Sequence, residues 1–220
     1  MDSPIYDTLL SLPLFRGLSK TDFEEILGKI RFDFSSESDG TAFISSGDAC
    51  DRFIFLLNGR VRSCRKSADG RLSFYEDIDA PVLFEAHSMF GIQSAYVRDY
   101  TAIGNIGLLK IEKQYLYSEL YRYSICRMNL LNMLCGRIQN MESHIWDLHG
   151  TTIRERLADM VRTLSETPSG RKEIHVRMED LAEILGETRL NVSKVLNGMA
   201  AEGKAQLRRG GFIIPALETL

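Results

Sequence analysis

The sequence predicts an α+β chain in three parts. These are an N-terminal β-roll (a double-stranded β-helix, or jelly roll) over 1–113, a long helix over 114–149 and a C-terminal winged helix-turn-helix over 150–220. Three observations predict it. Short apolar runs alternating with turn residues fill the first half, the habit of small β-sandwiches and barrels. Apolar residues then recur at 3-4-3-4-3 spacing through Leu131, Leu134, Ile138, Met141, Ile145 and Leu148, a coiled-coil stripe. Near the C-terminus, Ala182, Gly186 and Val192 stand at offsets 0, +4 and +10, the grid of two helices crossing at a tight turn.

The elements follow in order. Ser19 or Thr21 caps a short helix over 19–27. Gly40–Ile44, Phe53–Leu57, Arg60–Cys64 and Leu72–Tyr75 read as strands. Asn58-Gly59 and Asp69-Gly70 are hairpin signals, so a turn is expected at each. The apolar seam from Leu131 to Leu148 implies a helix that pairs with a second copy, a homodimer. Gly150 breaks that helix, and Thr151 or Thr152 caps the next, making a hinge over 149–152. Arg154 to Glu166 forms an amphipathic helix with Leu157, Met160, Val161 and Leu164 inward, stopped by Thr167-Pro168-Ser169-Gly170. Residues 173–178 alternate like a strand.

In the helix-turn-helix itself, Leu181, Leu185, Val192, Val195 and Leu196 supply the packed faces. Ala182 admits a close crossing. Gly186 takes the left-handed conformation of the turn. Thr188 N-caps the second helix. Gly203 to Pro215 reads as a β-hairpin wing that pairs with 173–178 and carries Arg208-Arg209-Gly210-Gly211 at its tip.

Composition narrows the function. The chain has 220 residues, a net charge of −3 and 44% hydrophobic residues, ordinary for a soluble protein. No run approaches the roughly 20 apolar residues of a membrane span, and the N-terminus lacks a basic-then-apolar leader, so a cytoplasmic location is expected. The four cysteines (50, 64, 126 and 135) form no CxxC pair and no zinc spacing. The β region holds one histidine, His87, too few for a cupin-type metal site. No Ser-His-Asp or Cys-His set and no phosphate-binding glycine loop stands out. An enzyme is therefore not expected, and no metal. From Glu187 to Pro215 five Lys/Arg face two Asp/Glu, so positive charge gathers at the helix-turn-helix although the chain is acidic.

The order of these parts, with Ser46-Gly47-Asp48, Asn58-Gly59-Arg60-Val61 and Asp69-Gly70-Arg71, resembles the Crp/Fnr family of bacterial transcription regulators. The resemblance implies a homodimer that binds a palindromic operator, works with RNA polymerase and is gated by a small-molecule effector. It implies DNA contacts from Thr188, Arg189, Leu190, Asn191, Ser193 and Lys194 on the second helix and from Arg208 and Arg209 on the wing.

The family's cyclic-nucleotide members carry Phe-Gly-Glu and a later Arg-Ser/Thr-Ala. The glycine admits backbone N–H groups to the phosphate, the arginine neutralises it and the glutamate binds the ribose. The corresponding stretches here are Leu83-Phe84-Glu85 and Tyr100-Thr101-Ala102, so cAMP is not expected. Arg98 shares a strand side with Tyr100 and stands as a shifted arginine. The expected effector pocket is Phe84, Glu85, His87, Arg98, Tyr100, Thr101 and Met141. The cofactor is unknown. An iron–sulfur site lacks its N-terminal cysteines. Haem would use His87 or His144, and a thiol switch Cys126 or Cys135. The rival classes are a haem- or small-molecule-sensing regulator, a cyclic-nucleotide adaptor without DNA binding, and a cupin-like β-roll enzyme.

Overall fold

The computed structural model describes residues 4–147 and 152–220, with side chains over 7–142 and 152–220. Leu148 and the expected hinge at 149–151 lie outside the described residues, as do the side chains of His144 and Ile145. The chain forms two units. One comprises residues 1–61 and 78–138, the other 62–77 and 139–220.

The first unit opens with α1 (Pro4–Ser11), which the sequence reading missed, and α2 (Lys20–Lys29). Ser19 caps α2, its hydroxyl accepting the Asp22 N–H at 3.1 Å. The strands are β1 (Asp33–Glu37), β2 (Ala42–Ile44), β3 (Arg52–Lys66), β4 (Leu72–Asp79), β5 (Val82–Leu83) and β6 (Asp99–Glu112). β6 pairs antiparallel with both β1 and β2, and β5 with β3. The roll closes over a core of Phe15, Phe23, Phe53, Phe55, Leu108 and Ile111, with Phe15 5.4 Å from Phe23 and 5.9 Å from Phe55 between ring centroids.

Two expectations fail here. Asn58-Gly59 is not a hairpin turn, because β3 runs unbroken from Arg52 to Lys66 through it. Gly59 takes φ +89°, and a Cβ there would lie 2.8 Å from Ile106 Cγ2 and 2.9 Å from the Asn105 carbonyl oxygen. The glycine serves a close approach of β6 rather than a reversal. Asp69-Gly70 does make the turn: Ser67 N–H donates to Leu72 O at 2.9 Å and Gly70 N–H to Ser67 O at 2.9 Å.

The single helix expected over 114–149 is also broken. α3 (Lys113–Ser118) is followed by a 3-10 turn over Leu120–Arg122, and α4 (Ser124–Asp147) starts afresh. Leu116, Leu120, Cys126 and Leu130 all enter the first unit's core. The break falls between Leu120 and Cys126, and residues on both sides of it pack into that core.

The second unit holds the outer part of the β3–β4 hairpin, α5 (Ile153–Leu164), β7 (Lys172–Val176), α6 (Met178–Leu185), α7 (Arg189–Ala201), β8 (Gln206–Arg208) and β9 (Gly211–Ile214). Thr152 starts α5 in a capping box with Glu155. Leu157, Met160 and Val161 are buried, as their spacing requires. β7 pairs with β9, and β9 with β8, forming the wing. On its other edge β7 pairs with β4, Leu72 opposite Val176 through Glu76 opposite Lys172. Phe74 joins the core of Leu157, Leu181, Val192, Leu196 and Phe212. Beside it, Lys172 Nζ and Glu76 Oε2 form a fully buried ion pair at 2.7 Å. Glu76 also accepts the Glu166 N–H at 2.8 Å, and Lys172 donates to Thr167 Oγ1 at 2.6 Å. Those further bonds offset the desolvation of the two charges.

Candidate nucleic-acid interface and effector site

The helix-turn-helix is built by local sequence. In α6, Leu181, Ala182 and Leu185 are buried. Gly186 then takes φ +63°, ψ 39°, and its N–H and that of Glu187 close the helix end onto Glu183 O and Ala182 O. Thr188 sits in extended backbone, and its hydroxyl accepts the Asn191 N–H at 3.3 Å, starting α7. Val192, Leu196 and Met199 pack inward.

That packing leaves one face of α7 open. Thr188, Arg189, Asn191 and Lys194 are exposed, and Leu190 is 65% exposed despite being apolar. Arg189 reaches Glu179 of α6, Nη1 to Oε1 3.3 Å. Asn191 Nδ2 donates to Glu187 Oε2 at 3.3 Å. Asn191 and Arg156 together hold the Glu187 carboxyl below its ordinary range. Ser193 is half-buried, and its hydroxyl and carbonyl oxygens both face the Asn197 amide. On the wing, Arg208 and Arg209 are exposed, and Gly210 turns the tip at φ +77°. The expected DNA-contact residues thus lie on two elements, α7 and the wing. Glu179 was not foreseen. A partner across a helix crossing carries no local sequence signal.

In the first unit Phe84, Glu85, Arg98 and Tyr100 are buried. The Phe84 and Tyr100 rings lie 4.6 Å apart, and Phe43 of β2 lies 5.7 Å from Phe84. Glu85 has φ +39°, a strained value for a side chain with a Cβ. Its carboxylate accepts from Ser88 Oγ at 2.7 Å, Val97 N–H at 2.9 Å and Tyr100 Oη at 3.3 Å. His87 is half-buried on the 3-10 turn over Ala86–Met89, and Thr101 is half-buried on β6 opposite Ala42. Met141 is exposed on α4 and belongs to the second unit. Phe43 and Ser88 were missed by the sequence reading. Burial pushes the Cys126 thiol up to about 12, which suits a packing residue, while Cys135 is exposed. Among the described residues, no group of three or more His, Cys, Asp and Glu is placed to hold a metal.

The second unit has the architecture of a winged helix-turn-helix DNA-binding domain. Residues 155–220 match the Crp-like helix-turn-helix domain family. Over 187 residues the chain is 23% identical to a CRP-like cAMP-activated global transcriptional regulator of Mycobacterium tuberculosis, spanning 82% of this chain and 83% of that protein. Its fold is similar to the catabolite activator protein of Thermus thermophilus (TM-score 0.55, 22% identity, 92% of this chain and 93% of that one). It is similar too to the sensor domain of the transcriptional regulator DNR from Pseudomonas aeruginosa (TM-score 0.51, 22% identity, 62% and 95%). Residues 155–220 thus form a Crp-like helix-turn-helix domain, and the curated relative matched along most of the chain is a transcription regulator rather than an enzyme.

Proposed function

We propose that this regulator binds a two-fold palindromic operator as a homodimer in the cytoplasm, controls transcription through RNA polymerase and answers to an effector other than cAMP. The observation that carries the DNA reading is the row of exposed side chains at the start of α7, Arg189, Leu190, Asn191 and Lys194, beside a wing bearing Arg208 and Arg209. Two copies related by a dimer axis would enter successive major grooves about 34 Å apart. Arg189 opens α7, where a side chain reaches base edges, and its guanidinium pairs bidentately with guanine O6 and N7. Leu190 accepts no hydrogen bond, so it meets a thymine methyl. Lys194 is a point charge and favours phosphate. No helix of the described residues is long and apolar enough to cross a membrane, in keeping with the location proposed.

Binding-site selection from random duplexes tests the reading. The wild-type chain should yield an inverted repeat. Arg189→Ala should flatten one base preference in each half-site and cost roughly 1–3 kcal/mol there. Lys194→Ala should weaken all sequences alike. An unchanged preference matrix with Arg189→Ala would remove this residue from base reading.

A further inference from the structure

The outer β3–β4 hairpin has no place in the interface described so far, yet it is built into the unit that carries α7. Phe74 sits in that unit's core, and β4 adds a strand to the sheet beside β7. Register fixes where its tip falls. Leu72 stands opposite Val176, whose N–H donates to Gly210 O at 2.9 Å at the wing tip. The turn over Ser67–Arg71 and the wing turn at Arg209-Gly210 therefore lie at the same end of the sheet. The first turn of α6 follows β7 at that end, and Arg177 stands between them.

The tip is shaped and charged. Asp69 accepts from Ser67 Oγ at 2.6 Å, Arg71 N–H at 3.1 Å and Arg71 Nε at 2.6 Å, which fixes the loop. From Arg65 to Arg71 there are three basic residues and one acid. Arg71 also reaches α6, 3.3 Å from Asp180 and 3.1 Å from Glu183, so it offsets acids that would repel a phosphate backbone. Arg65 and Lys66 are exposed.

We propose that this hairpin is a second wing: Lys66 and Arg65 contact DNA phosphates beyond those met by α7 and the β8–β9 wing, while Arg71 neutralises the acids of α6. The inference rests on the DNA-binding reading given above. Phosphate contacts release counterions, and each changes the slope of log K against log salt by about 0.9. The contact carries no base preference, so it lengthens the footprint without altering the selected sequence.

The test is a salt titration of operator binding by the full chain, with an ethylation-interference footprint. Lys66→Gln should make the slope shallower by about 1 per half-site and abolish interference at one outlying phosphate. Ala68→Lys, at the exposed tip, should make the slope steeper by a similar amount. Because both positions are exposed, melting temperatures should not move, which separates lost contact from lost fold. Wild-type slopes and footprints in both variants would overturn the second wing. Arg189→Ala run alongside reports on α7 separately: unchanged base selection there counts against the helix-turn-helix reading, not the hairpin. A chain that binds no duplex at any salt overturns both.

Discussion

Under the resemblance drawn from the sequence, Phe84 and Tyr100 correspond to the glycine and arginine of the cyclic-nucleotide binders. The Phe84 ring packs on that of Tyr100, 4.6 Å between centroids. Glu85 spends its carboxylate on Ser88, Val97 and Tyr100. A phosphate brought here would lose water without gaining its usual cation. Titration calorimetry with cAMP should therefore show no saturable heat at tens of micromolar, a binding energy weaker than about −6 kcal/mol. Saturation at low micromolar that disappears in Arg98→Ala would overturn this and make Arg98 the phosphate partner. The two substitutions were legible because they replace residue types with unique chemistry. Phe43 was not, since it comes from β2 and meets Phe84 only through the fold. Nor was the left-handed backbone of Glu85, because glutamate gives no signal for it.

Among the elements, the helix-turn-helix was readable from sequence and the unbroken length of β3 was not, and two glycines show why. Gly186 meets nothing within 4 Å at its would-be Cβ, so only its φ of +63° demands glycine. Such a demand is local, and the flanking helical pattern announces it. Gly59 has φ +89° as well, but its Cβ would also meet Ile106 and Asn105 across the sheet. That demand is tertiary, and beside Asn58 it imitates a hairpin turn. The two sites should answer differently to substitution. Gly186→Ala should cost about 1 kcal/mol, the backbone penalty alone, and Gly186→Asn should recover part of it. Gly59→Ala should cost more than Gly186→Ala, and asparagine should not rescue it. Thermal melts of the four variants check both statements; equal losses at the two alanines would mean that the β6 contact carries no weight. The break between α3 and α4 also escaped the sequence. No glycine or proline stands at the break, between Ser118 and Ser124, so no local signal announces it.

At the scale of the whole molecule, α4 poses the remaining question. Leu134 is half-buried against the core of its own unit. Leu131, Ile138 and Met141 are 53%, 59% and 53% exposed. Leu131 and Ile138 are one heptad apart, so they lie on one side of the helix. Met128, 52% exposed, extends that apolar line. Fully burying an exposed side chain of this kind is worth about 1.5–3 kcal/mol, so covering the exposed half of each would gain about half of that, and a second copy of α4 would cover them symmetrically. Two copies are also what a palindrome needs. Ile138→Glu would place a carboxylate in the seam, where its desolvation costs several kcal/mol without a partner. The variant should run as a monomer by light scattering, keep its circular dichroism because Ile138 is exposed in the single chain, and lose tight binding to the paired site. It should retain weak, non-specific binding, since α7 and the wing are untouched. Gln139→Glu adds the same charge at the neighbouring, exposed position and should leave the dimer intact. If Ile138→Glu still scatters as a stable dimer, the copies meet elsewhere, and the exposed stripe on α4 needs another occupant.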